Sequence, residues 1–374
     1  MGNMKMQTQK AARGFTLLEL MVSMAVGLIA MAAMAMLFKS GMNATMMVTQ
    51  RIDTQENMRA GMDLMVKDIS LAGAGLPSGG IQLPYGVGNN GISKYACDQT
   101  GTCHVPNNTY PTGPTFSNYM YGIIPGYQDG VENNAVIPAA PAPAFSDSIT
   151  VVYCDLNFPL WQYNVNFVAG TKGGQATLTP QAGYTPPSIT SNGGLNQGDI
   201  IMISGGSTTA VGEITTYSAS SGSPGATGSL TFANADPLNI NQSGAASGNL
   251  NALATSLAGG AGVAYRLFVI TYYLTVPAAG QTPRLMRQVN GLTPAPVADD
   301  IINLQFAFDN FNSATGALDA NQPNPLGSAE SPNNIQKVNI FMMGESTINN
   351  QKNSQNLYLA TDVSASNMAY RDPY

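Results

Sequence analysis

The chain has 374 residues, of which 10 % are charged and 44 % are hydrophobic, and its formal net charge at pH 7 is −6. This composition excludes a highly charged disordered chain, and with this acidic balance we expect no nucleic-acid partner. One histidine and three cysteines leave few side chains for metal binding or nucleophilic catalysis. The sequence therefore predicts a protein that is not an enzyme and uses no metal or cofactor.

The N-terminus reads as a short polar segment followed by a long apolar one. Residues 1–14 carry three basic residues and no acidic one, and an apolar run extends from Phe15 to Phe38. Its last 19 residues, from Leu20, carry no charge and at about 1.5 Å per residue nearly span a hydrocarbon core of ~30 Å. The basic flank predicts a cytoplasmic N-terminus, with the rest of the chain across the membrane.

Two ordinary interpretations of this segment do not account for its details. A secretory signal peptide has an apolar core of roughly 7–15 residues and a small-residue cleavage site, whereas this run is longer and no such site follows it. A simple membrane anchor leaves Glu19 unexplained, because a charge inside a membrane helix costs roughly 2.5–3.5 kcal/mol. Glu19 is therefore predicted to have a function that involves a partner charge.

The segment Arg13-Gly14-Phe15-Thr16-Leu17-Leu18-Glu19 resembles the class III signal of type IV prepilins and type II secretion pseudopilins. The resemblance implies cleavage between Gly14 and Phe15 by a prepilin peptidase, and N-methylation of Phe15. It also implies that Glu19 pairs with the N-terminal amine of a neighbouring subunit, where the two charges offset each other's desolvation. Thr16 is a further candidate for a hydrogen bond at this assembly site.

The helical pattern continues to about residue 72. Apolar residues recur there at spacings of four, three, four and three, which is one face of a helix: Met58, Met62, Met65, Ile69 and Ala72. Charged residues are placed off this face, Asp68 among them, and Gly27, Gly41 and Gly61 are candidate weak points. We expect the apolar face to pack on the globular domain; a coiled-coil seam with another subunit is the alternative.

The remainder of the chain alternates short β-rich runs with turn-rich segments. The clearest strand candidates are 148–154, 198–204, 210–217, 264–276, 284–289, 301–308, 337–343 and 357–363. Long loops are predicted at 77–146, 180–197, 218–262 and 309–335.

The predicted fold class is α+β and type IV pilin-like: a long N-terminal transmembrane helix followed by a β-sheet-rich globular domain with long loops. The predicted division is a leader peptide, a transmembrane and filament-core helix, an amphipathic extension of that helix and a periplasmic or surface domain, at 1–14, 15–38, 39–74 and 75–374.

The order of segments 198–204, 265–276 and 283–308 resembles the C-terminal half of PilW-type minor pilins. There, a strand leads to a Leu-x-Arg segment and then to an Ile-x-x-Leu-x-Phe strand. The residues in such places here are Leu285, Arg287, Ile302, Leu304, Phe306 and Phe308.

This resemblance implies a minor pilin that primes type IV pilus assembly or sits near the tip, contributing to adhesion or to DNA-uptake-related functions. Its partners would be other major and minor pilins, prepilin peptidase and the inner-membrane assembly platform. It would be held in the bacterial inner membrane by a single pass, with the domain in the periplasm, and would later reach the pilus at the cell surface. The alternatives are a type II secretion pseudopilin of the GspJ kind, although those are usually shorter, and a membrane-anchored binding protein without a filament role.

Three cysteines leave their pairing open. An exported location permits disulfides, and a small loop closed by Cys97 and Cys103 is the simplest choice, with Cys154 then a buried thiol. Pairing of Cys154 with either of the others is the alternative. His104 follows Cys103, but the Cys-x-x-Cys-His spacing of haem attachment is absent, so a surface position is expected.

Two acidic stretches offer the oxygen ligands that calcium prefers. They are Asp129 with Glu132, and Asp309 with Asn310, Asn312 and Asp319. Neither has the ligand spacing of an EF-hand, so solvated loop acids are the expectation.

Overall fold

A computed structural model describes residues 14–85, 119–126, 146–206, 208–257, 262–278, 281–312, 315–323, 331–346 and 355–369. Within these residues the chain is an α+β protein, with one long N-terminal helix followed by a β-rich domain, as predicted. The proposed Cys97–Cys103 disulfide, His104 and the Asp129–Glu132 pair lie outside the described residues.

Helix α1 runs from Leu17 to Ser70, 54 residues or about 81 Å at 1.5 Å per residue. It continues through Gly27, Gly41 and Gly61, so the expected weak points do not interrupt it. The chain then turns into the domain immediately after the helix, where Gly73 and Gly75 adopt the left-handed conformation that glycine tolerates best.

Seventeen strands are described. In chain order they are β1 Ile81–Gln82, β2 Tyr119–Met120, β3 Ile123–Gly126, β4 Ser148–Asp155, β5 Tyr163–Val168, β6 Gly173–Pro180, β7 Ile200–Gly205, β8 Thr208–Glu213, β9 Thr216–Ala219, β10 Gly228–Ala233, β11 Val263–Thr275, β12 Arg284–Val289, β13 Ala295–Ala298, β14 Ile301–Asn312, β15 Ala317–Pro323, β16 Ile335–Ser346 and β17 Gln355–Ser364. Two short α-helices are also described, α2 Leu253–Ser256 and α3 Ser366–Ala369, with 3₁₀ turns at Leu160–Gln162, Leu250–Ala252 and Pro332–Asn334.

The central sheet has seven antiparallel strands, ordered β13-β12-β11-β4-β3, with β7 and β8 added beside the first part of β11. Both faces of this sheet are covered. In β4, Ile149 and Val151 point into the core that contains helix α1, whereas Val152 and Cys154 point into a second core on the opposite face. Burial on both sides explains why β4 and β11 read as almost continuous apolar runs.

Two further four-stranded sheets flank the central one. The C-terminal sheet, ordered β15-β14-β16-β17, shares one core with α1 and the central sheet. The accessory sheet, ordered β5-β6-β10-β9, has its own core, to which Phe167, Leu230 and Phe232 contribute together with Ile201 and Ile203 of β7. A separate two-stranded sheet pairs β1 with β2.

Most predicted strands are confirmed within a few residues, but four expectations were wrong. Segment 210–217 divides into β8 and β9, and three predicted loops contain strands: 77–146 contains β1, β2 and β3, 218–262 contains β10, and 309–335 contains β15. In β10 only Leu230 and Phe232 are large and apolar, because the other face of the accessory sheet is polar and exposed. A short strand with one polar face inside a Gly- and Ser-rich segment resembles a loop in sequence.

Candidate functional site

The first half of helix α1 exposes its apolar side chains. Leu17 is 78 % exposed and Phe38 is 72 % exposed, and none of the most apolar 18-residue window is buried inside the molecule. By length and composition, α1 is the one helix among the described residues that could cross a membrane. Such a surface requires lipid or a packed protein partner around it, since exposed apolar area in water is unfavourable.

At the start of this helix, Thr16 and Glu19 form a capping box. The Glu19 backbone N–H donates to Thr16 Oγ1 at 3.3 Å, and the Thr16 backbone N–H donates to Glu19 Oε2 at 3.1 Å. Both bonds satisfy donors that a helix N-terminus otherwise leaves without a partner. They also hold the Glu19 carboxylate at the positive end of the helix dipole, one turn from the predicted cleavage site.

The second half of α1 is docked on the domain. The predicted apolar face is buried, from Met58 at 2 % exposure to Ile69 and Ala72 at 0 %, within the core shared with the two sheets. Packing on the domain, rather than a seam with another subunit, therefore accounts for this face. Glycines permit the close approach: a β-carbon at position 61 would lie 3.0 Å from Leu285 Cδ2, and one at Gly344 would lie 2.7 Å from Met58 Sδ.

A buried polar cluster fixes the end of the helix to the central sheet. Asp68 is 3 % exposed, and its Oδ2 accepts from the Tyr272 hydroxyl at 2.5 Å and from Arg287 Nε at 2.9 Å. Its other oxygen accepts from the Tyr153 hydroxyl at 3.4 Å. The helix is thereby tied to β4, β11 and β12, the middle of the sheet. We call Asp68, Tyr153, Tyr272 and Arg287 the anchor cluster.

Electrostatics keep the two tyrosines and the arginine of the anchor cluster protonated. Burial and the nearby Asp68 charge raise the pKa of Tyr153 to about 12, and the same causes raise the pKa of Tyr272 further. For Arg287, burial acts to lower the pKa, but hydrogen bonding to Asp68 and its charge more than offset this and raise it. Both tyrosines therefore stay protonated donors and Arg287 stays charged near neutral pH.

The sequence interpretation placed Asp68 off the buried face, and this was wrong. Asp68 follows Met65 by three residues and precedes Ile69, so helical spacing puts it on the edge of that face. Leu285 and Arg287, singled out by the PilW resemblance, do meet the helix: Leu285 packs over Gly61 and Arg287 binds Asp68. Tyr153 and Tyr272 were missed. Their only sequence signal is a hydroxyl-bearing residue inside an otherwise apolar strand.

The expectation of solvated loop acids was wrong for the second acidic stretch, which begins at Asp309. Asp309 lies buried in β14, where its Oδ1 accepts from the Asn321 backbone N–H at 2.7 Å and from Asn339 Nδ2 at 2.9 Å. Asn312 Nδ2 donates to Asp319 Oδ2 at 2.9 Å across the β14–β15 pair. These polar groups hydrogen-bond to one another. Among the described residues, no group of three His, Cys, Asp or Glu side chains could hold a metal ion.

Glu213, the last residue of β8, and Asp236, which follows β10, form a buried acidic pair. Asp236 accepts from the backbone N–H groups of Ile240 and Asn241, both at 2.8 Å, and Glu213 accepts from that of Leu238 at 3.2 Å. Burial, together with the hydrogen bond to Asp236 and its charge, raises the pKa of Glu213 to about 8. Glu213 is therefore protonated at neutral pH. Through Leu238 it helps to hold the loop that follows β10.

Comparisons with known proteins identify the N-terminal segment. Residues 9–35 match the family described as Prokaryotic N-terminal methylation motif, and this stretch contains Gly14, Phe15 and Glu19. No curated protein and no solved structure matches the chain. The motif indicates a pilin or pseudopilin processed by prepilin peptidase and, with the apolar helix, anchorage in a membrane. It points to a structural rather than an enzymatic protein.

Proposed function

We propose that this chain is a PilW-type minor pilin that primes assembly of a type IV pilus or sits near its tip, where its domain contributes to adhesion. The observation that carries the proposal is the continuity of α1. A prepilin-type N-terminus leads without a break into a helix whose second half is locked to a β-rich domain. Inserting the first half into a bundle of helices therefore positions the domain outside that bundle.

In this proposal, maturation creates the assembly site. Hydrolysis of the Gly14–Phe15 peptide bond leaves the Gly14 carboxylate on the leader and a new amine on Phe15, which is then methylated. Glu19, already oriented by the capping box, pairs with the corresponding amine of a neighbouring subunit. In an apolar bundle either charge alone would be costly, so the pair also sets the axial register between subunits.

The size of the domain supports a subunit present in few copies. Packed helices lie about 8–10 Å apart, so domains attached to neighbouring helices crowd one another. Here the domain carries an accessory sheet with its own core in addition to the two sheets that contact α1. Such bulk suits the tip or base of a fibre better than every position along it.

A deletion strain tests the proposal. We expect loss of the gene to lower the amount of major pilin in the sheared surface fraction at least tenfold, and the wild-type gene to restore it. A complementing gene with Glu19→Ala should not restore it, although the variant remains in the membrane fraction. Unchanged fibres together with lost protein secretion would instead identify a type II secretion pseudopilin. Unchanged fibres and secretion would refute any filament role.

A further inference from the structure

The outer face of the C-terminal sheet contains an open recess with a mixed polar and apolar lining. Its volume is about 420 Å³, within the range of roughly 300–1,000 Å³ common for small-molecule sites. It is lined by Gln305 of β14, Asn321 of β15, Asn339 and Phe341 of β16, and Asp362 of β17. Five side chains able to hydrogen-bond or to stack thus converge from four strands.

Strand register explains why the sheet is hollow at this point. In β16, Ile340 points into the core shared with α1, so Asn339 and Phe341 point outward. On one side of each, the cross-strand partner is small: Ala307 of β14 pairs with Asn339, and Ala360 of β17 pairs with Phe341. An alanine side chain ends at Cβ, so a depression forms beside each larger residue. The recess also lies on the face of the sheet opposite to the core shared with α1.

The Asn339 side chain, the Asn321 backbone and the Asp362 carboxylate are each held by a neighbouring group. Asp309 accepts from Asn339 Nδ2 at 2.9 Å and from the Asn321 backbone N–H at 2.7 Å, while Lys337 Nζ lies 2.8 Å from Asp362 Oδ2. Groups already held in place lose little conformational freedom on binding. Two carboxylates, Asp309 and Asp362, share the single cation Lys337, whose Nζ lies 4.0 Å from the first and 2.8 Å from the second. The remaining negative charge repels an anion, so the recess favours a neutral ligand with hydroxyl donors.

An aromatic surface borders the recess. The ring of Phe341 lies 6.1 Å from that of Tyr358, and Tyr358 is 64 % exposed on the edge strand β17. Exposed aromatic rings offer an apolar face with a polar tip and are common at binding surfaces. Amide groups, a carboxylate and an aromatic face together match a ring that has hydroxyls on its rim and C–H groups on its face, which describes a sugar.

We propose that this recess binds a neutral sugar residue of a surface carbohydrate. The sugar ring stacks on Phe341, and its hydroxyls hydrogen-bond to the amides of Asn321 and Asn339 and to the carboxylate of Asp362. Acidic polysaccharides are disfavoured because removal of residues 1–14 takes away three of 15 basic residues and none of 21 acidic ones, leaving a net charge of −9. Binding of this kind is independent of whether the chain enters a pilus.

The test uses the full mature chain in lipid nanodiscs, so that no sugar-based detergent competes. The probes are immobilised neutral oligosaccharides of hexoses and N-acetylhexosamines, beside sialylated and sulfated ones. We expect the wild-type chain to bind at least one neutral probe. Ala360→Trp, which fills the recess, and Phe341→Ala, which removes the stacking ring, should each weaken that binding at least tenfold.

Two further variants separate loss of the site from loss of folding. Thr177→Trp places the same bulky ring on the exposed face of the accessory sheet and should leave binding unchanged. Asp362→Asn alters an exposed side chain without changing its size and should weaken binding at least threefold. A folded wild-type chain that binds no neutral probe, or only acidic probes, overturns the proposal, as does unchanged binding by Ala360→Trp and Asp362→Asn.

Discussion

The two halves of helix α1 differ in what surrounds their apolar side chains. From Leu17 to Phe38 the apolar side chains surround the helix and remain exposed, whereas from Met58 to Ile69 they form one face that is buried on the domain. The second half is complete within one chain. The first half is stable only with an apolar environment from outside the chain, which a membrane and then a helix bundle would supply in turn.

The charged residues follow the same division. Asp68 in the second half finds Arg287 and two tyrosines in its own chain, so its charge is compensated on folding. Glu19 in the first half has only the capping-box contacts with Thr16 among the described residues. In the proposed filament, the helix would neutralise one carboxylate within the chain and leave the other available to a neighbouring subunit.

Among replacements in helix α1, Asp68→Ala should cause the largest loss of folding stability. It leaves the buried Tyr272 hydroxyl and the half-buried Arg287 without their acceptor. Removal of one partner from a fully buried ion pair costs about 3–5 kcal/mol, and we expect a loss near the lower value because Arg287 still reaches water. Thermal unfolding followed by circular dichroism of the full chain would show the loss. The matched control is Asp63→Ala, an exposed position on the same helix, which should change stability by less than about 0.5 kcal/mol. Equal effects from the two variants would contradict the anchor role.

Glycine replacements should separate the two halves further. Gly61→Leu drives a side chain into Leu285 and Ala298 and should cost about 1–3 kcal/mol of folding stability, as overpacking does. Gly41→Leu should cost none in the isolated subunit, because nothing lies within 4 Å of position 41, and it even favours the helix. If Gly41→Leu is as destabilising as Gly61→Leu, the first half is not free of the domain.

A different kind of test concerns the dependence of folding stability on pH that Glu213 contributes. Its pKa rises from 4.5 to about 8 on folding, so between these values the folded chain holds a proton that the unfolded chain has released. Stability should therefore fall as the pH rises through this window, by up to roughly 1.4 kcal/mol per pH unit, and should level off above it. Glu213→Gln should flatten the dependence, whereas Glu56→Gln on the exposed helix surface should not. If the slope of stability against pH persists in Glu213→Gln, the Glu213–Asp236 pair is not its source.

Features that are local in the chain could be predicted from the sequence better than those that join distant residues. The prepilin segment, the apolar run and the Met-rich face are continuous in the chain, so local spacing reveals them. The anchor cluster is not local, because Asp68 and Tyr272 meet across 204 positions. Strands β5, β6 and β10 escaped prediction for another reason: their outer face is built of Thr, Ser, Asn and Gln, which in Gly-rich surroundings resembles loop sequence.

The most direct test of the central claim replaces Glu19 with glutamine. Gln at this position can keep the capping bond to the Thr16 backbone N–H, while the negative charge needed to pair with a neighbouring amine is lost. The measurement is the amount of this protein in the sheared surface fraction relative to the membrane fraction, for the wild type and Glu19→Gln. We predict at least a tenfold loss from the sheared fraction with the membrane amount unchanged. Equal amounts of both proteins in the sheared fraction would show that Glu19 only caps its own helix and would contradict the assembly role.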